Sequence, residues 1–383
     1  MRLLFTRFPL ESAFGGAEIQ TLSLMKGLSG RGHAVAFLGS CPILIEETAK
    51  LKLPHAKLLI GPPPVTKWNA LSFLWRKQKM KERLALALTS FDRIDAIIMI
   101  SLSEKLLLTE VAVRRGIRVF WMEHDRVGPW LSKNPWLSTL RKLSGTVTTV
   151  CVSELSRKIY IDLRWEPDSV VAIANGVDRK RFDATAAHQK PSPQPPSPLL
   201  GRGGLLHVGC IARLSPEKGV DVLIQAVGTM PNVQLTIVGT GPDEGYLRKL
   251  ATNIHDAEMQ SAERIRILPR ADDLGSFYRS LDALILPSRE NDPFGLVTAE
   301  AMLCGTPVIV TDQCGIAGYL ESGKDAIVVK ANSEEALRQG ITQLLNTALR
   351  SRLSEEGKRT AEQKFSLETM LRNYEKLLEK NRG

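Results

Sequence analysis

Cysteine is scarce in this 383-residue chain: Cys41, Cys151, Cys210, Cys304 and Cys314 are scattered, with no CxxC pair and no metal-ligand spacing. That excludes a disulfide framework and a zinc knuckle, and the thiols read as buried groups in a reducing cytoplasm. No apolar run reaches transmembrane length, and the opening MRLLFTRFPLES has too short an apolar segment for a secretory signal. Sequence repeats are absent too, and no recognised nucleic-acid module is present, so nucleic acid is not an expected partner. What the chain does have is 43% hydrophobic and 24% charged residues, enough to bury the cores of two ordinary domains.

The net charge of +10 is unevenly placed. Residues 1–183 hold 28 Lys and Arg against 17 Asp and Glu, a net +11, while residues 184–383 hold 23 against 24, a net −1. Such a field in the first half suits nucleic acid, an anionic substrate or a membrane surface, and its plainer reading is solubility. Within it, residues 67–88 read as a helix with two faces. At 100° per residue Phe73, Met80, Leu84 and Leu88 share one side, and Trp68, Trp75, Arg76, Lys79 and Arg83 share the other. The second face matches either an anionic headgroup layer or a solvated basic helix.

Hydrophobic runs of strand type are expected at 2–5, 33–38, 94–100, 117–121, 146–152 and 169–173, with helical segments between them. The alternation implies a parallel sheet. Gly15 and Gly16 mark a strand-to-helix turn, with a helix from about 17 to 28. Glu123-His124-Asp125 follows a strand directly, at the end of a sheet where ligands gather, which leaves His124 open as either a substrate contact or a structural residue. The stretch 188–204, HQKPSPQPPSPLLGRGG, reads as an extended linker. It separates residues 1–187 from a second domain at 205–365. A second alternating series expects strands at 205–211, 233–238, 264–268, 282–287, 307–310 and 326–329, and an amphipathic helix closes the chain over 366–380.

In that second series ARLSPEKGVDVLI puts Arg213 and Lys218 in a loop ahead of a helix, the arrangement a diphosphate needs: fixed charge, oriented donors and a guanidinium fork. LPSRENDPFGLVTAEAMLCGTPVIVTD follows the same logic. A buried strand ends, Asp292 is expected to cap a helix with Pro293 at its first position, Glu300 lies two turns in, and Gly305 ends it.

These blocks, with FGGAE, RGHAV, EHD, NGVD and IVGTGPD, resemble glycosyltransferase family 4, the retaining group 1 enzymes of GT-B fold, over nearly the whole chain. The resemblance implies an α/β protein with two Rossmann-like parallel-sheet domains facing across a cleft, and a last helix, 366–383, returning to the first domain. It implies that Asp292 and Glu300, with seven residues between them, bind the nucleotide sugar. Glu300 would take the ribose hydroxyls, and Asp292 with the N–H groups of Phe294, Gly295 and Leu296 the sugar. Arg213 and Lys218 would hold the diphosphate, His124 a sugar hydroxyl, Arg270 would lie near the base, and Gly15 and Gly16 would admit the phosphates. The family usually has Glu at the first carboxylate position, so Glu290 stays open as an alternative to Asp292. No DxD motif is present, and no metal or cofactor is expected. The implied reaction is retaining transfer from a nucleoside-diphosphate sugar to a lipid-linked or surface-saccharide acceptor, by a cytoplasmic enzyme attached peripherally to the inner face of the membrane. A nucleotide-sugar epimerase and an inactive peripheral membrane protein with a relict nucleotide site are the competing readings.

Overall fold

The computed structural model describes residues 1–9, 15–182, 205–258 and 264–380. The expected linker 188–204 lies outside them. Two compact units divide the chain: Met1–Gly176 with Leu371–Gly383, and Val177–Met370.

In the first unit β1 (Arg2–Arg7), β2 (Ala34–Gly39), β3 (His55–Lys57), β4 (Ala96–Met99), β5 (Arg118–Glu123), β6 (Thr148–Cys151) and β7 (Val170–Ala172) form one sheet among the described residues. The order is β3-β2-β1-β4-β5-β6-β7, and every pairing is parallel. Strands buried on both faces read as continuous apolar runs, which is why β4 (AIIM) was legible. The edge strand β3 was not expected, because His55 and Lys57 give it no apolar signature and it pairs only with β2. Trp121 anchors the core with no exposed surface, its indole N–H donating to Thr109 Oγ1 at 3.1 Å.

The second unit holds β8 (Leu206–Ile211), β9 (Val233–Val238), β10 (Ile265–Leu268), β11 (Ala283–Leu286), β12 (Val308–Thr311) and β13 (Ile327–Val329), ordered β10-β9-β8-β11-β12-β13 and again parallel. Each sheet therefore reverses its winding once, between β1 and β4 in the first and between β8 and β11 in the second. Ligands in open parallel sheets bind outside the carboxyl ends of strands at such switch points.

The terminal helix Leu367–Lys380 ends within the first unit. Leu371 lies against Gly27, where a Cβ would come within 2.5 Å, and Arg118 Nη1 donates to the Leu378 carbonyl at 2.6 Å. Tyr374 and Leu378 are buried, and Glu375 pairs with Arg31.

The helix Lys67–Ala87 buries Ala70, Phe73, Met80 and Leu84, as its periodicity required. Trp68 and Trp75 stand 77% and 80% exposed, with Leu71 and Leu74 also exposed between them. One residue departs from the expected outer face: Arg76 is folded back, donating to Pro62 O at 3.3 Å and Ser72 Oγ at 3.2 Å, because Gly61 leaves room for its guanidinium.

Candidate nucleotide-sugar site

The switch point of the second unit is built from the loops after β8 and β11. Arg213 is exposed just beyond β8. A one-turn 3-10 segment, Pro216–Lys218, then leads through Gly219 into the helix Val220–Gly228. Gly219 has φ +63, and a Cβ there would lie 2.3 Å from the Pro287 carbonyl oxygen. Only glycine fits this close backbone approach. It brings Lys218 against the β11 loop, where Nζ meets Asp292 Oδ2 at 2.6 Å.

Arg289 clamps the two loops. Its side chain donates to Pro216 O at 3.1 Å and to Asn332 Oδ1 at 2.9 Å and pairs with Asp221 at 2.7 Å, while its own N–H donates to Glu217 O at 2.8 Å. Sequence reasoning passed over Arg289, since its partners lie 43 to 73 residues away along the chain.

The expected cap at Asp292 is corrected by the structure. The helix is Leu296–Leu303, and its N-cap is Gly295 in the left-handed region at φ +93. Asp292 instead donates its N–H to Gln313 O at 2.8 Å and bridges to Cys314, so residues 292–295 cross the sheet end before the helix starts. The side chain of Asp292 is 7% exposed and accepts from Ser288 Oγ at 3.0 Å as well as from Lys218, and more distantly from the Phe294 N–H at 3.4 Å. The later start puts Glu300 little more than one turn into the helix instead of two. The N–H groups of Gly295 and Leu296 lie in the first turn, whose donors have no intrahelical partners. Glu290, by contrast, is exposed.

Glu300 is 5% exposed and accepts a 2.7 Å hydrogen bond from Tyr278 Oη at Oε2. Burial raises its pKa, against the lowering effects of the Tyr278 bond and of Arg181. Tyr278 is itself buried and packed edge-on against Phe182. Its role was not visible in the sequence because it comes from a different helix, Leu274–Arg279. Arg270 stands apart, 84% exposed beyond β10 and 3.6 Å from Asp272.

In the first unit Gly15 caps the helix Gly16–Gly30, and a Cβ at Gly16 would meet nothing within 4 Å. The helix start already holds an anion: Glu18 Oε2 accepts the Gly15 N–H at 3.3 Å, and Oε1 pairs with Arg7 at 2.6 Å. His124 follows β5. Desolvation, reinforced by the positive charges of Arg7 and Lys105, pushes its pKa down to about 3, so the imidazole is neutral near pH 7. No group among the described residues bonds its Nδ1.

Two family signatures match the chain, "Glycosyl transferases group 1" over residues 202–360 and "Glycosyltransferase Family 4" over residues 14–181. The chain is 31% identical over 169 residues, 44% of its length and 48% of the relative's, to the lipopolysaccharide core biosynthesis glycosyltransferase LpsE of Rhizobium meliloti. It is 27% identical to the lipopolysaccharide core biosynthesis mannosyltransferase LpcC of Rhizobium leguminosarum bv. viciae, over 85% of each chain. The first of these relatives is thus matched over about half its length. In fold, the UDP complex of Anabaena Alr3699/HepE superposes with TM-score 0.80 at 20% identity, over 99% of this chain and 100% of that one.

Proposed function

The chain belongs to the group 1, family 4 glycosyltransferases, of GT-B fold, and from that premise we propose that it moves a sugar, with retained configuration, from a nucleoside diphosphate to a saccharide or lipid-linked acceptor of the cell envelope. The observation that carries this reading is the 2.6 Å contact of Lys218 with buried Asp292 at the switch point, with Glu300 buried in the helix that follows. A cation paired, among the described residues, with one carboxylate, in the same loop region as an exposed Arg213 and ahead of a helix N-terminus, is arranged to receive a diphosphate. Glu300 keeps Oε1 for the ribose hydroxyls while Tyr278 holds Oε2. Asp292 and the first N–H groups of the helix Leu296–Leu303 hold the sugar, and Arg270 lies on the side of the base. In the first unit neutral His124 keeps its Nδ1 for a ligand hydroxyl, while the start of the helix Gly16–Gly30 is taken by the Glu18 carboxylate.

The chemistry follows from these parts. The bond from the anomeric carbon to the diphosphate oxygen breaks, the acceptor oxygen bonds to the same face, and the acceptor's proton passes to the departing phosphate. Arg213 and Lys218 meet the charge that develops on the leaving group, so no protein nucleophile and no metal is required. The relatives' names, lipopolysaccharide core glycosyltransferase and mannosyltransferase, support an envelope saccharide as acceptor.

Such an acceptor lies at a membrane, and the helix Lys67–Ala87 supports attachment to an anionic surface on the cytoplasmic side. Trp68, Leu71, Leu74 and Trp75 are exposed together, with Lys67, Lys79 and Arg83 beside them. No helix among the described residues is long and apolar enough to cross a membrane. The transferase reading is tested by incubating the chain with UDP-, GDP- and ADP-sugars in EDTA. Release of nucleoside diphosphate from one donor, raised by an envelope saccharide fraction, is expected. Epimerised donor without diphosphate release would replace transfer with epimerisation.

A further inference from the structure

An anion site gains from unpaired cations, yet two cations in the loops after β8 and β11 are already paired. Lys218 Nζ lies 2.6 Å from Asp292 Oδ2, and Arg289 pairs with Asp221 at 2.7 Å while also donating to Pro216 O and Asn332 Oδ1. Exposed Arg213 is the cation that these pairs leave over. The carboxylate of Asp292 is held in place from several sides. Its residue donates N–H to Gln313 O at 2.8 Å, its carbonyl accepts from the Gly315 N–H at 2.8 Å, and its Oδ2 accepts from Ser288 Oγ at 3.0 Å. A negative charge is thereby fixed behind the lysine that would receive the diphosphate.

That charge separates the two nucleotides a transferase meets, its donor and its product. In a sugar donor the outer phosphate is esterified, whereas the nucleoside diphosphate left after transfer has a free phosphate whose second ionisation falls near pH 6, so the product is the more negative at pH 7. The donor also brings hydroxyls, which donate to the Asp292 carboxylate and satisfy it. The product brings none. A phosphate oxygen bonded to Lys218 Nζ at about 2.8 Å stands no more than about 5 Å from Asp292 Oδ2, close enough for like charges to repel.

We propose that Asp292 determines the site's selectivity for donor over product: it holds the sugar of the donor and, once the sugar has left, its charge weakens the grip of Lys218 on the nucleoside diphosphate and hastens release. This deepens the transferase reading and rests on it. Isothermal titration of the full chain without acceptor tests it, with UDP, GDP and ADP against UDP-glucose, GDP-mannose and ADP-glucose. Asp292→Asn removes the charge and keeps an acceptor for Lys218 and Ser288, and the backbone bonds to Gln313 and Gly315 hold the residue in place. The nucleoside diphosphate that binds should bind this variant about three- to tenfold more tightly than the unsubstituted chain, the solvent-screened end of the Coulomb range at about 5 Å, since Lys218 is 25% exposed. Its sugar ester should gain less or lose affinity. Glu290→Gln removes the same charge from an exposed position and should change either affinity less than about twofold. Equal or weaker binding of the nucleoside diphosphate by Asp292→Asn, the same gain for its sugar ester, or the same gain in Glu290→Gln would overturn the proposal and leave the transferase reading standing. Binding of no nucleoside diphosphate by any of the three chains would overturn the site reading, and this proposal with it.

Discussion

Replacing Tyr278 by Phe removes one oxygen atom from a buried site and nothing from its packing. The lost contact is a 2.7 Å hydrogen bond to a carboxylate that is 5% exposed. Hydrogen bonds to charged groups contribute about 1.5–3 kcal/mol, so donor affinity should fall roughly ten- to hundredfold if Glu300 must stay ionised and oriented to hold the ribose. The pH dependence sharpens the test. Burial already raises the Glu300 pKa and the Tyr278 bond counters it, so the substitution raises it further. The protonated fraction then grows as pH falls, and the loss should be larger at pH 6 than at pH 8. Isothermal titration with the preferred nucleoside diphosphate and its sugar at both pH values reads this directly. Equal affinity of Tyr278→Phe and the unsubstituted chain at both values, in a variant with unchanged urea unfolding slope, would refute the role given to the pair.

Three further outcomes are expected. Asp292→Asn should lower turnover strongly while Glu290→Gln leaves most of it, because Asp292 is buried on Lys218 and Glu290 is exposed; the reverse order in steady-state kinetics would move the first carboxylate to Glu290. His124 folds with its pKa lowered from 6.5 to about 3, so the stability it contributes is whole above pH 6.5 and declines as pH falls towards 3, by about 1.4 kcal/mol per unit; His124→Gln should flatten that part of a urea-denaturation pH series. Lys67, Lys79 and Arg83 contribute at most about 1 kcal/mol each at an anionic surface, so their change to Gln, or raised salt, should release the chain from anionic vesicles in flotation; equal flotation on neutral vesicles would leave this helix simply solvated.

Much of the fold was legible because parallel strands buried on both faces announce themselves as short apolar runs, as β4, β8 and β11 do. The spacing of Asp292 and Glu300 was legible as well, since both lie in one continuous block. Less visible was the backbone at Gly295, whose positive φ delays the helix to Leu296 and turns an expected cap into a buried ion-pair partner. Side chains with distant partners left no local trace. Arg289 clamps loops from two strands, Tyr278 reaches Glu300 from another helix, and Arg76 turns inward onto Gly61. A cavity at β1 and β4 gathers Arg7 from the end of β1, Glu123 from the end of β5, Lys105 from the helix Leu102–Arg114 and Trp165 from a loop, and only the sheet order brings them together.

The claim at the centre of the account is that Lys218, Arg213 and Asp292 form a nucleoside-diphosphate site. Thermal unfolding with UDP, GDP and ADP, alone and as their sugars, measures it most directly. A ligand at a hundred times its dissociation constant stabilises the folded state by about 2.7 kcal/mol, which raises the melting temperature by several degrees. One of the three nucleotides should give that rise in the unsubstituted chain, and folded Arg213→Ala/Lys218→Ala should lose most of it. If no nucleoside diphosphate shifts the melting temperature, or if the double variant responds as the unsubstituted chain does, the site has been assigned to the wrong residues.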